Sequence, residues 1–83
     1  SYYYPASTFG FRAANNMNRV SEKAFVNGKE ILKEIEFGDT ILSVNGIPNN
    51  LVKEWELPNK IMIEIKKKDG SIKTVHAKRH YIK

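Results

Sequence analysis

The 83-residue sequence lacks cysteine altogether and has only three prolines and five glycines. Without cysteine the chain can form no disulfide and offers no thiolate as a nucleophile or metal ligand. No apolar run approaches the roughly 20 residues that a transmembrane helix needs, so we expect no membrane insertion. Hydrophobic residues nevertheless make up 41% of the chain, which is typical of a folded globule. The length allows one domain and not two.

Residues that carry recognisable catalytic or metal chemistry are also scarce. The two histidines, His76 and His80, lie four residues apart on a predicted strand, about 13 Å at roughly 3.3 Å per residue, too far to share a metal ion. Asp39-Thr40 resembles the start of an aspartic-protease Asp-Thr-Gly motif, but Ile41 follows and the motif fails. We therefore predict no catalytic residue, no metal site and no cofactor in this segment.

Positive charge is plentiful, with a formal net charge of +5. Much of it lies late in the chain: Lys60, Lys66, Lys67, Lys68, Lys73, Lys78, Arg79 and Lys83. A basic face can attract nucleic acid, anionic lipid or an acidic peptide. Lysines on a hairpin also keep strand edges from pairing with other chains, and we favour this interpretation. Because Tyr81 is the only aromatic residue among these lysines, we expect no specific binding of nucleic acid.

Two segments have clear strand patterns. Ile61, Ile63 and Ile65 alternate with polar or exposed positions, and Asp69-Gly70 predicts the turn of a hairpin that returns through Ile72. The β-branched run Thr40–Val44 predicts a central buried strand, which Asn45-Gly46 ends with a tight turn. Weaker strands are predicted from Arg19 to Val26 and after Phe9-Gly10-Phe11.

Two short helices complete the expected fold. Asn27-Gly28 is interpreted as the cap of a helix over residues 29–34, to which Ile31, Leu32 and Ile35 give one apolar side. A second helix is expected between Pro48 and Pro58, with Leu51, Val52 and a partly buried Trp55 on one face. The predicted fold class is α+β: a small, mostly antiparallel sheet or partly open barrel of five or six strands, capped by these two helices.

Three segments resemble those of PDZ domains. Gly38-Asp39-Thr40-Ile41-Leu42-Ser43-Val44-Asn45-Gly46 is similar to their Gly-Asp-x-Ile-Leu-x-Val-Asn-Gly segment. Thr8-Phe9-Gly10-Phe11 resembles their Gly-Leu-Gly-Phe loop, although Thr8 stands where the family often has glycine. The hairpin over residues 61–77 is similar to the closing strands of bacterial members. The resemblance implies an N-terminal extension over residues 1–7 and one PDZ-like domain over residues 8–83.

The resemblance also implies a function, which is binding of an extended or C-terminal peptide by strand addition. The loop N–H groups would hold a terminal carboxylate, and the strand edge over residues 12–15 would pair with the peptide. The implied binding residues are Thr8, Phe9, Gly10, Phe11, Arg12, Ala13, Val52 and Trp55. The alternative for Phe9 and Phe11 is that they are only core aromatics around a turn.

The bacterial character of the resemblance implies a host protein. Similar domains are attached to retropepsin-like aspartic proteases and to carboxyl-terminal processing proteases. We expect this chain to be a non-catalytic segment of such a peptidase, favouring the bacterial cell envelope, with the protease domain elsewhere in the same chain. The alternative function is a degenerate, PDZ-shaped structural domain that packs against its own protease and binds no peptide.

Overall fold

The computed structural model describes residues 6–13 and 18–82 and consists mainly of short antiparallel strands. The strands are β1 Ala6–Thr8, β2 Phe11–Ala13, β3 Val20–Lys23, β4 Phe25–Val26, β5 Lys29–Glu30, β6 Thr40–Val44, β7 Ile47–Pro48, β8 Lys60–Lys66, β9 Ile72–Lys78 and β10 His80–Ile82. The helical elements in these ranges are two three-residue 3₁₀ helices, Asn49–Leu51 and Glu54–Glu56.

The largest sheet has four strands in the order β7-β6-β8-β9. Strands β8 and β9 form an uninterrupted antiparallel hairpin from the pair Lys60–Lys78 to the pair Lys66–Ile72. Strand β6 lies inside the sheet, antiparallel to both β7 and β8. The predictions of a hairpin at Asp69-Gly70 and of a central strand over Thr40–Val44 are therefore confirmed.

The remaining strands form three two-stranded sheets, β1-β10, β2-β3 and β4-β5. The single sheet of five or six strands that the sequence predicted is therefore divided into smaller units. Strand β1 pairs with β10 from Ala6 to Thr8, so residues 6 and 7 of the expected N-terminal extension take part in a sheet. The predicted strand over residues 19–26 exists as two strands, β3 and β4.

Side chains from one face of each long strand form the hydrophobic core. Along β8 the side chains alternate strictly, and those of Ile61, Ile63 and Ile65 are buried. The other buried hydrophobic residues are Phe9, Val20, Leu32, Ile35, Ile41, Val44, Val75 and Ala77. This alternation is the period-2 pattern expected of a strand with one face in the core.

The turn of the β8–β9 hairpin is fixed by local polar contacts. Gly70 has a φ of 88°, a left-handed conformation that glycine adopts without a Cβ clash. The carboxylate of Asp69 accepts hydrogen bonds from the Ser71 hydroxyl at 2.6 Å and from the Ser71 N–H at 2.9 Å. These bonds stabilise the charged carboxylate and lower the pKa of Asp69.

The first predicted helix is wrong. Asn27 and Gly28 both have positive φ values, 52° and 77°, the combination that a type I′ hairpin turn requires. They therefore join β4 to β5 as a hairpin, and residues 31–37 continue without regular structure. We call residues 24–37 the connecting segment. Its residues Leu32 and Ile35 are buried, although no helix presents them to the core.

The second predicted helix is also wrong. After the 3₁₀ helix Asn49–Leu51, Val52 is extended with a ψ of 131°, and Leu57 is extended with a ψ of 140° ahead of Pro58. A residue that precedes proline is sterically driven out of the helical region, which ends the second 3₁₀ helix at this point. The α+β class with two capping helices is thus overturned, because the described chain is mostly β.

The described residues contain no helix that is long and apolar enough to cross a membrane.

Candidate functional site

The loop that joins β1 to β2 is the first wall of the candidate site. Phe9 is only 5% exposed and lies in the core, and Phe11 is partly buried against it. The loop turns at Gly10, whose φ is 104° and whose N–H donates a hydrogen bond to Thr8 Oγ1 at 2.9 Å. Phe9 is therefore a core aromatic, and one N–H of the predicted anion-binding loop is already bonded within the loop.

Glycine is required at position 10 by the protein's own packing. A Cβ on Gly10 would lie 2.9 Å from Leu32 Cβ, closer than such atoms approach, and 3.2 Å from the Leu32 nitrogen, a tight contact. The close approach that this glycine permits is thus to the connecting segment. The resemblance to PDZ domains implies instead that a ligand makes this approach.

Strand β2 has a neighbouring strand on one side only, as far as the described residues show. In the described part of the chain β2 pairs with β3 alone, with Arg12 opposite Glu22. The other edge of β3 is occupied, because Val20 N–H donates to Asp39 O at 2.8 Å and Gly38 N–H donates to Val20 O at 3.0 Å. The open edge of this pair therefore belongs to β2. The rest of the predicted edge, Ala14 and Asn15, lies outside the described residues.

The second wall is the stretch that contains the two 3₁₀ helices. Val52 and Leu57 are partly buried hydrophobic residues that pack against the core. Asn49 Nδ2 donates a hydrogen bond to Asn18 Oδ1 at 2.8 Å, which ties this wall to the residues that precede β3. These contacts hold the wall in place. The two 3₁₀ helices are too short to present a continuous helical face.

A groove of about 620 Å³ lies between the two walls. Core residues Val44 and Ile61 line it from within, and Arg12, Glu22 and Glu54 contribute charge. The volume falls in the range of about 300–1,000 Å³ that is usual for ligand sites. The groove therefore combines core residues, a lining that is more polar than apolar, an open strand edge and charges of both signs.

Most of the residues that the sequence singled out line this groove. They are Thr8, Phe9, Phe11, Arg12, Ala13 and Val52. Gly10 does not line it, and neither does Trp55, which is 80% exposed. The prediction that Trp55 is partly buried is wrong, because a three-residue 3₁₀ helix replaces the amphipathic helix that would have turned its side chain inward.

The sequence analysis missed several residues of the site, among them Glu22, Glu54 and Leu57 in the groove and Arg79 beside it. Arg79, between β9 and β10, places its guanidinium 4.6 Å from the centre of the Phe9 ring. Its Nη1 donates to Ser7 Oγ at 3.0 Å, and its Nη2 donates to Leu57 O at 2.8 Å. Arg79 stands in the sequence as one of many late basic residues, and no local pattern predicts these contacts.

Within the described ranges no group of three or more histidine, cysteine, aspartate or glutamate side chains is placed to hold a metal ion. The histidines lie on different strands, His76 on β9 and His80 on β10.

Searches of known protein families, curated proteins and solved structures find no match to this chain. The resemblance to PDZ domains therefore depends on the sequence segments alone.

Proposed function

We propose that this chain is a peptide-binding module that takes up an extended peptide segment as an additional strand beside β2. The observation that carries the proposal is the groove itself, which is lined by the residues of β2 and by Val52 and includes the core residues Val44 and Ile61. The groove residues come from distant parts of the sequence, and six of them are residues to which the resemblance to PDZ domains assigns peptide binding.

The backbone of β2 supplies the main-chain contacts of this proposal. An extended peptide that pairs with a free strand edge gains main-chain hydrogen bonds, while pockets for alternate side chains give specificity. The half-buried side chains Phe11 and Ala13 flank the exposed Arg12, so the described part of β2 offers apolar contacts on one face and a charge on the other.

The affinity should be weak. The described edge of β2 is three residues long, and the opposite wall has no long helix to enclose a side chain. Few peptide side chains would therefore be buried, and little contact energy would remain after the cost of ordering the peptide. We expect a dissociation constant on the order of 10 μM or weaker.

The resemblance extends the proposal to a host. We place the module in a bacterial peptidase, where it would position or gate an extended substrate segment. The second candidate function is a structural domain that packs against its own protease. It is favoured by two exposed apolar side chains on the 3₁₀ helices, Leu51 at 64% and Trp55 at 80% exposure.

An NMR titration with free-acid and end-blocked peptides tests the proposed function. Binding in the groove should shift the amide signals of residues 8–13 and of Val52. The variant Val52→Lys should weaken binding at least about fivefold, because it places a charge where a partly buried apolar side chain packs against the core. The control Leu51→Lys changes an exposed neighbour and should leave the affinity unchanged, provided that both variants keep a folded spectrum.

The absence of shifts at millimolar peptide would contradict peptide binding and favour the packing domain. Shifts confined to residues far from the groove would contradict it equally.

A further inference from the structure

The described residues also form a second hollow, of about 670 Å³. The residues that line it include Ser7, Glu54, Trp55, Leu57, Arg79 and Tyr81. Three of these, Ser7, Glu54 and Leu57, also line the groove, so the two depressions are adjacent. A ligand that fills the groove therefore ends within reach of the hollow.

The direction of this extension follows from the strand geometry. Ser7 precedes the loop, and Arg79 lies over the Phe9 ring, so the hollow is on the loop side of β2. Antiparallel pairs are two to three times as common as parallel ones, and a peptide antiparallel to β2 runs from Ala13 towards Phe11. The peptide residues that follow the paired stretch would then reach the hollow.

The loop between the groove and the hollow is poorly suited to binding the terminal carboxylate of a peptide. A terminal carboxylate needs several free N–H groups in the loop, but that of Gly10 already bonds to Thr8 Oγ1. A peptide that continued past the loop would need no such groups. The loop chemistry thus favours an internal segment over a chain terminus.

The hollow contains a fixed positive charge. The Arg79 guanidinium is held by neutral oxygens of Ser7 and Leu57 and by the Phe9 ring. None of the ion pairs between described residues involves Arg79. A guanidinium in a fixed orientation matches a carboxylate well, because two of its N–H groups can point at the two oxygens.

Aromatic side chains border the same hollow. Trp55 is 80% exposed and Tyr81 is 54% exposed, and the Tyr81 hydroxyl donates to Asn59 Oδ1 at 3.3 Å. Large aromatic side chains supply apolar contact area at a low cost in conformational entropy. Their exposure is consistent with a surface that a ligand covers.

We propose that the ligand is an internal extended peptide segment that continues past the loop, with an acidic side chain against Arg79 and an apolar side chain between Trp55 and Tyr81. This inference rests on the proposed function, because the same peptide pairs with β2. Glu54, at the junction of the groove and the hollow, repels the acidic side chain and would favour ligands that place it close to Arg79.

Synthetic peptides of roughly ten residues, about 33 Å when extended, test the inference. The probe is an acetylated and amidated Val-Thr repeat with one glutamate moved through its C-terminal half, and the matched control has glutamine instead. The best glutamate peptide should bind about fivefold more tightly than its glutamine control, as expected of a partly solvated ion pair. Trp55 is the only tryptophan, and its emission should move to shorter wavelength.

Variants of the protein provide the second arm. Arg79→Gln should abolish the preference for glutamate over glutamine, whereas Glu54→Gln should increase it. Because Arg79 also holds Leu57 and Ser7, a thermal melt of Arg79→Gln must accompany the titration. The comparison of the glutamate peptide with the glutamine peptide uses the wild-type protein. It therefore still tests the inference if Arg79→Gln does not fold.

The outcomes separate the two proposals. Amide shifts at residues 11–13 without a glutamate preference or a Trp55 response would overturn the hollow and leave the proposed function standing. Tighter binding of a free-acid peptide that ends at the loop would overturn the internal segment. The absence of any shift with every peptide would overturn both.

Discussion

The β8–β9 hairpin and the connecting segment both contribute side chains to one core, but their backbones are held in different ways. In the hairpin, backbone groups pair with each other along seven consecutive register pairs. In the connecting segment, β4 and β5 share two pairs, and the Lys23 ammonium donates to the carbonyl oxygens of Leu32 and Ile35. The Lys23 side chain, which comes from β3, thus donates to carbonyl oxygens that would have accepted from backbone N–H groups in a helix.

Lys23 is suited to this role by its position and burial. Its side chain is 3% exposed, and it also forms an ion pair with Glu30 at 3.0 Å. A buried ammonium is costly unless several acceptors surround it, and the two carbonyls and the carboxylate meet that need. An irregular segment can therefore have a defined backbone path when a buried charged side chain hydrogen-bonds to its carbonyl oxygens.

The largest effect is expected in the hairpin. Ile63 is fully buried in β8, so Ile63→Ala should reduce the free energy of unfolding by about 2–5 kcal/mol through lost burial and a new cavity. Its neighbour Met62 faces the other side and is 46% exposed, so Met62→Ala should change stability by no more than about 0.5 kcal/mol. Urea unfolding measures both. Similar losses in the two variants would contradict the strict alternation of β8.

A smaller effect is expected in the connecting segment. Lys23→Met keeps the length of the side chain but removes the donor to Leu32 and Ile35, and it should destabilise by about 1.5–3 kcal/mol, the usual cost of losing a hydrogen bond to a charged group. Lys29→Met is the control, because Lys29 is exposed on β5. Amide hydrogen exchange should also accelerate in residues 31–37. Equal stability of the two variants would show that backbone packing alone holds the segment.

The sequence predicted burial in this segment better than it predicted conformation. The sequence places Ile31, Leu32 and Ile35 on one apolar side, and Leu32 and Ile35 are buried whereas Ile31 is only partly so. The helix failed because the same spacing fits a chain that bends past the core, and because Asn27-Gly28 specifies a hairpin turn as well as a cap. The spacing of apolar residues over six positions indicates which side chains are buried, but it does not determine the conformation of the backbone.

The candidate site shows the same division. Residues 8–13 are close in sequence, so a local motif located them, and Val52 was found through the apolar pattern between two prolines. Arg79 reaches Ser7 across 72 positions of the sequence. Such a contact depends on how β1 and β10 pair, and no short pattern around Arg79 contains that information.

Lys67 connects the two regions of the comparison. It follows β8, and its ammonium lies 3.0 Å from Oε1 of Glu36, at the end of the connecting segment, and 2.6 Å from Oδ2 of Asp39, just beyond that segment. Burial alone would lower the pKa of Lys67. Hydrogen bonds and charge attraction from Asp39 and Glu36 outweigh the burial, so the pKa is raised above its ordinary value.

The raised pKa of Lys67 predicts the smallest effect, a dependence of stability on alkaline pH. The folded state holds the proton more tightly than the unfolded state, whose lysine pKa is about 10.4. The stabilisation is therefore complete below that pH and is lost as the pH rises through the raised folded-state pKa. Because the Glu36 carboxylate is exposed and the Lys67 ammonium is partly accessible, the loss should be only about 0.2–1 kcal/mol. Urea midpoints from neutral to strongly alkaline pH should fall more steeply for the wild type than for Lys67→Met, whereas Lys68→Met, which changes an exposed neighbour, should follow the wild type. Parallel curves for the wild type and Lys67→Met would mean that this ion pair does not couple the hairpin to the connecting segment.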